Sequence, residues 1–258
     1  MSNLLHYRDQ GDGEIIILIH GLFGSLDNLG LLARDLIQDH RVISVDLRNH
    51  GQSFHSQDHS YLAQATDVLQ LLNHLDIKTA TVIGHSMGGK VAMKLSTLAP
   101  DIIHKLIVMD MAPVPYQEDR HSNVFAGIAE VETGQPSTRA QAIALMANKI
   151  EIDGVRQFLS KSLYKQGQHL GWRFNHQALK AEYKHITGWE SLTANPLPAL
   201  FIKGADSDYI KAEHQPQILA QFPNARAHII ANTGHWLHAE KPAMVLRTIR
   251  KFLNTISD

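Results

Sequence analysis

The sequence predicts an α/β fold with a mostly parallel central sheet covered by helices on both faces. Three observations predict it. Short apolar runs alternate with amphipathic helical stretches along both ends of the chain. The first run, Ile15-Ile-Ile-Leu-Ile19, is apolar without alternation, as a strand buried on both faces should be. A glycine-flanked serine sits where a strand should give way to a helix.

Taken in order, Ile15 to Ile19 reads as a strand, Asn28 to Gln38 as a helix, Arg41 to Asp46 as a strand and Tyr61 to Leu75 as a helix. Strand Thr79 to Gly84 leads into helix Met87 to Leu98, closed by Pro100, and strand Lys105 to Asp110 follows. The rhythm then breaks. From Pro113 to Trp189 the text is polar, helical and punctuated by glycines, with no strong strand run, so it is expected to be an inserted helical cap. Alternation resumes with strand Ala199 to Lys203, a helix near Glu213 to Phe222, strand Ala227 to Ile230 and a final helix Pro242 to Leu253, opened by its proline. The expected domains are a core over 1–112 and 191–258 and a cap over 113–190.

Composition narrows the function classes. The chain has 258 residues, 44% of them hydrophobic, enough to bury one large core. A formal net charge of -1 provides no excess cation to dock on phosphate backbones or anionic lipid, so neither nucleic acid nor membrane is an expected partner. The absence of cysteine excludes a thiol nucleophile, a thiolate metal site and disulfides. Met1 to Gly13 has neither a basic nor an apolar leader region, which makes the cytoplasm the expected location. A monomer or small homo-oligomer acting on a small molecule is the expected state.

The strongest chemical signal is Gly84-His-Ser-Met-Gly88, a G-x-S-x-G between strand and helix. Such a serine occupies a sharp turn that only small neighbours allow, and the following helix points its positive end at the hydroxyl. Ser86 is therefore the expected nucleophile. It needs a base later in the chain, and His235 in Asn232-Thr-Gly-His-Trp236 follows the last strand, where the loop can return over the strand ends. If His235 is that base, activity should fall on acidification, because a protonated imidazole cannot accept the serine proton. Most other histidines, His40, His55, His59, His74, His121, His169 and His176 among them, are expected on solvated surfaces. His235 and His238 lack a third ligand at fixed spacing, so no metal is expected, and no cofactor motif is present.

The base needs an acid to fix its tautomer. Asp206 and Asp208 follow a late strand and Asp110 ends an earlier one, and the residues alone leave these three open.

His20-Gly-Leu-Phe-Gly24, Asp46-Leu-Arg-Asn-His-Gly-Gln-Ser53, the serine turn and Gly234-His235 together resemble the α/β-hydrolase superfamily. More narrowly, His20 to Leu29, Gly84 to Lys90, Met109 to Val114 and Gly234 to Ala239 resemble the YbfF-type esterases. The superfamily's usual acid position, three residues beyond Gly204, holds Ser207. The resemblance to the narrower group implies that the acid is Asp110, with Ser207 adding a hydrogen bond to the histidine. It also implies cleavage of short acyl esters, with acyl-CoA thioesters as a further substrate class. The oxyanion of acyl transfer needs two backbone donors, which map to Met87 and Leu22.

Arg48, Asn49 and His50 are expected to anchor their loop rather than meet substrate. Val114, Tyr116, Phe125, Ile128, Met146, Phe158 and Trp172 are candidate apolar walls of a substrate pocket, with packing inside the cap as the competing role. Competing functions on such a scaffold are carbon–carbon bond hydrolysis, perhydrolysis, and ligand binding without catalysis.

Overall fold

The computed structural model describes residues 4–255; residues 1–3 and 256–258, the ends of the expected core, lie outside the described residues. The chain opens with β1 (Tyr7–Gln10), β2 (Glu14–Ile19), α1 (Gly30–Leu36), β3 (His40–Val45), α2 (Tyr61–His74), β4 (Ala80–His85), α3 (Met87–Leu98) and β5 (Ile103–Met109). An insertion follows: α4 (Ser122–Gly134), α5 (Arg139–Met146), α6 (Asp153–Ser160), β6 (Leu163–Gln166), β7 (His169–Trp172), α7 (His176–Ala181) and α8 (Tyr183–Thr187). The chain closes with β8 (Ala199–Gly204), α9 (Gln215–Gln221), β9 (Ala225–Ile230), α10 (Leu237–Glu240) and α11 (Pro242–Leu253).

Seven strands form one sheet in the order β1-β3-β2-β4-β5-β8-β9. β1 runs antiparallel to β3, and the remaining pairings are parallel. The apolar run of β2 explains itself in this setting. Ile17 and Ile19 enter the core on one face, with Leu71 of α2 and Val91 of α3. Ile16 and Leu18 enter the core on the other, with Leu32 of α1 and Ile249 of α11. A strand covered on both faces has no polar side to show.

One expectation is corrected. The insertion is not purely helical: β6 and β7 form an antiparallel hairpin. Its strands are only four residues long, each with a single buried residue, so no apolar run announces them. Leu163 and Trp172, both buried, lie opposite each other at its base, and Gly167 at φ 64° turns the chain between the strands. β1, short and mostly exposed, also escapes the apolar pattern. Among the described residues no helix is long and apolar enough to cross a membrane.

All parallel strands deliver their carboxyl ends to one edge of the sheet. Gly21 to Gly24 follow β2, Ser86 follows β4, Asp110 follows β5, Ser207 follows β8 and His235 follows β9. This is the edge at which open α/β sheets bind ligands.

Candidate active site

Ser86 has φ 55° and ψ -123°, a left-handed conformation rare for a residue with a Cβ. The positions two before and two after it are glycines because the turn leaves no room there. A Cβ on Gly84 would lie 2.1 Å from the Gly88 carbonyl oxygen, and one on Gly88 would lie 2.4 Å from those of Ile19 and His20. The Ser86 N–H donates to the Met109 carbonyl at 3.0 Å, tying the turn to β5. The N-terminus of α3 then begins at Met87, with its partial positive charge beside the hydroxyl.

His235 Nε2 lies 2.8 Å from Ser86 Oγ, and His235 Nδ1 lies 2.7 Å from Asp110 Oδ2. Asp110 is 0% exposed and sits at φ 52°. Its buried carboxylate is fully engaged: Oδ1 accepts the Gly204 N–H at 3.1 Å, and Oδ2 also accepts the Ser207 hydroxyl. The chain of hydroxyl, imidazole and carboxylate is continuous. Such a chain lets the imidazole accept the serine proton while the carboxylate holds the other ring nitrogen as donor.

The structure thus brings Ser86, His235 and Asp110 together and leaves the other two aspartates outside. Asp206 is exposed, and Asp208 pairs with Arg120 at 2.7 Å. Ser207 is placed differently from the expectation. Its hydroxyl donates to Asp110, not to His235, because Oδ2 lies between them.

Leu22 and Met87 lie on either side of the serine turn, in the loop after β2 and at the start of α3. Among the described residues neither backbone N–H has a protein acceptor outside the helix and sheet ladders. The flanking amides are occupied: Phe23 N–H donates to His50 Nε2 at 3.1 Å, and Gly24 N–H to the Gly21 carbonyl at 3.1 Å. Ser162 of the insertion donates to the Phe23 carbonyl at 3.0 Å, so the insertion also grips this loop.

Arg48, Asn49 and His50 lie away from the pocket wall. Arg48 makes a bidentate pair with Asp67, Asn49 accepts the Ser56 N–H at 2.8 Å, and His50 holds Phe23.

Several histidines expected in solvent are not there. His40 and His59 are buried, and His121 is half-buried in the pocket wall. Burial holds His59 down to about 3 and His121 down to about 4. A histidine in a polar stretch reads as solvated, yet an imidazole that bonds to a neighbouring side chain can be enclosed. His59 Nδ1 meets the Asn49 amide at 3.2 Å, and His121 Nδ1 meets the Tyr183 hydroxyl at 2.7 Å.

A pocket of about 650 Å³ opens above Ser86 and His235. Of the seven expected wall residues only Phe158 lines it. Val114, Phe125, Ile128, Met146 and Trp172 are buried in the core that joins the insertion to the sheet, and Tyr116 packs against that core. The apolar wall comes instead from Ile150, Ile152, Val155 and Leu159, around α6.

Sequence reasoning also passed over Tyr209 and His85, both lining the pocket against His235. Each had a signal. His85 directly precedes Ser86, and Tyr209 directly follows the aspartates of the β8 loop.

A parallel sheet with a serine turn after β4 and a histidine after β9 defines the class, and residues 14–242 match the alpha/beta hydrolase fold family, to which the chain belongs. Within it, the chain is 50% identical to Esterase YbfF of Escherichia coli over 96% of both chains. It is 36% identical to the mouse sn-1-specific diacylglycerol lipase ABHD11, over 94% of this chain and 82% of that one. Among solved structures, a marine microorganism esterase superimposes with a TM-score of 0.94 at 33% identity, over 97% of this chain and all of that one. These relatives support hydrolysis of the esterase or lipase kind.

Proposed function

We propose that the chain hydrolyses carboxylic esters of small molecules by acyl transfer, with Ser86 as nucleophile, His235 as base and Asp110 as its orienting acid. The observation that carries this reading is the unbroken bonding from Ser86 Oγ through His235 to Asp110, at 2.8 and 2.7 Å. His235 takes the serine proton as Oγ adds to the ester carbonyl, and returns it to the departing alkoxide. The Leu22 and Met87 amides donate to the oxyanion. Water, deprotonated by the same imidazole, then cleaves the acyl-enzyme.

On this reading residues 113–190 form the cap, whose α6 side supplies the acyl wall. An ester and an acyl-CoA thioester with the same acyl group give the same acyl-enzyme once the leaving group departs, so the thioester is included as a substrate class.

The test is hydrolysis of p-nitrophenyl esters from acetate to octanoate, and of acyl-CoA thioesters, by the wild type and by Ser86→Ala. Ester cleavage abolished in Ser86→Ala is the expected result. Full activity in Ser86→Ala would overturn the reading, and thioesters left intact would restrict it to oxygen esters.

A further inference from the structure

We infer that His85 is a positioning residue for His235, holding the base's backbone through a hydrogen bond from its own side chain. The inference rests on the acyl-transfer reading above.

His85 ends β4 and is bonded covalently to Ser86, while its ring crosses to the loop after β9. There His85 Nε2 lies 2.9 Å from the carbonyl oxygen of His235. A carbonyl only accepts, so Nε2 carries the hydrogen. Among the described residues no other donor reaches that carbonyl.

The ring is wedged from three sides. His238 meets it edge-on with centroids 4.3 Å apart, and the His235 ring lies 4.8 Å away. A Cβ on Gly21 would be 3.2 Å from His85 Nδ1, so the loop that carries Leu22 closes the remaining side. One side chain therefore touches the oxyanion loop and the base's loop, while its backbone continues into the nucleophile. Burial, with His238 and His235 alongside, keeps His85 well below the usual imidazole range, so it is a neutral donor throughout the working pH.

The need for such a tie follows from where His235 is mounted. Ala231 and Asn232 in its loop are exposed, and Asn232 turns at φ 52°. The Asp110 contact fixes one ring nitrogen but leaves the backbone free to pivot about it. Anchoring the carbonyl of the same residue removes that pivot and keeps Nε2 on Ser86 Oγ. A displacement of about 1 Å at such a contact costs on the order of a hundredfold in rate.

The test uses the full chain and three variants. A glutamine amide nitrogen reaches the place of Nε2, so His85→Gln keeps the donor. His85→Leu removes it at similar volume, and His85→Asn places its amide short of the carbonyl. Expected are kcat values lowered about 10- to 100-fold in His85→Leu and His85→Asn with KM within about twofold, and a kcat within about threefold of wild type in His85→Gln. The rate of Ser86 phosphonylation by a p-nitrophenyl phosphonate should follow the same order.

Wild-type kcat in both variants lacking the donor would overturn the inference, as would a loss in His85→Gln equal to theirs, or a change confined to KM. Ser86→Ala is run alongside. If it is inactive while the His85 variants all match the wild type, the positioning role alone fails. If it stays active, the acyl-transfer reading fails and takes this inference with it.

Discussion

Tyr209 lies flat against the His235 imidazole, with ring centroids 3.9 Å apart and planes inclined by only 17°. The ring is itself fixed. Its carbonyl accepts the Tyr116 hydroxyl at 2.7 Å, and the Arg120 guanidinium sits 4.5 Å from its centroid, held by Asp208 and Glu118. Asp208 thus touches the site only through an arginine and a tyrosine, with both side chains between it and His235. The stack fixes the plane of the imidazole, and the face of the ring does this work. Tyr209→Phe should therefore keep kcat within about twofold, while Tyr209→Ala should lower it about tenfold. Steady-state kinetics on one ester decide this, and an alanine variant with wild-type kcat would remove Tyr209 from the argument.

Asp110→Asn exchanges an acceptor for an amide that can present a donor to Nδ1, favouring the wrong imidazole tautomer. Its kcat should fall about 10³- to 10⁴-fold with little change in stability. Ser207→Ala takes away one of the bonds to Oδ2 and should cost about three- to tenfold, while Asp206→Asn should stay within about twofold of wild type. A crippling loss in Asp206→Asn would place the acid in the loop after β8, not at the end of β5.

What the sequence made legible follows from how local each signal is. The inner strands β2, β3, β4, β5 and β8, with α3 and the serine turn, are specified by short, mostly buried runs, and their expected bounds lie within a few residues of those observed. Ser86 and His235 could be read from their places after strands, because the fold collects such ends at one edge, whereas strand ends alone left Asp110 level with Asp206 and Asp208 and only the family resemblance singled it out. The hairpin β6–β7 was not, since its stability comes from one cross-strand pair and a glycine turn rather than from a pattern. Nor were the pocket walls. Phe125 and Phe158 have the same apolar character, and only the tertiary placement of α6 makes Phe158 the one that faces the cavity.

Of the buried histidines, His20, His50, His59, His85 and His238 are lowered by burial, His59 and His238 to about 3. His20 and His50 use this neutrality, since each accepts a backbone N–H at Nε2. In the unfolded chain these rings protonate near the ordinary value of about 6.5. Between that pH and their lowered folded values the unfolded state binds more protons, so stability rises with pH there. It is complete above about 6.5 and is lost progressively on acidification, by up to about 1.4 kcal/mol per pH unit for each ring. Urea midpoints should fall steeply from about pH 6.5 to about pH 4.5, and His59→Gln should flatten the slope by about one proton. An unchanged slope in that variant would mean that His59 is protonated in the folded state.

Lys90 provides the opposite end of the pH scale. It lies on α3, one turn after Ser86, and is 0% exposed, with Nζ donating to the Thr187 and Gly188 carbonyls at the end of α8. The rings of Tyr116, Tyr61 and Trp189 surround the amine at 4.8, 5.5 and 5.8 Å. This side chain ties the insertion to the helix that follows Ser86. Burial pushes its ammonium down to about 7, against about 10.4 in the unfolded chain. Between these values the unfolded state holds the extra proton, so stability rises with pH through that window, and the full penalty of burying the charge remains below it. Going from about pH 7 to about pH 9, the wild type should gain about 2 kcal/mol relative to Lys90→Met, which has no such proton. The substitution should consequently be more damaging at the higher pH, where a neutral amine satisfies both carbonyls without a buried charge and the methionine satisfies neither. Urea unfolding of both proteins at the two pH values measures the difference, and parallel pH dependences would mean that Lys90 stays charged within its aromatic box.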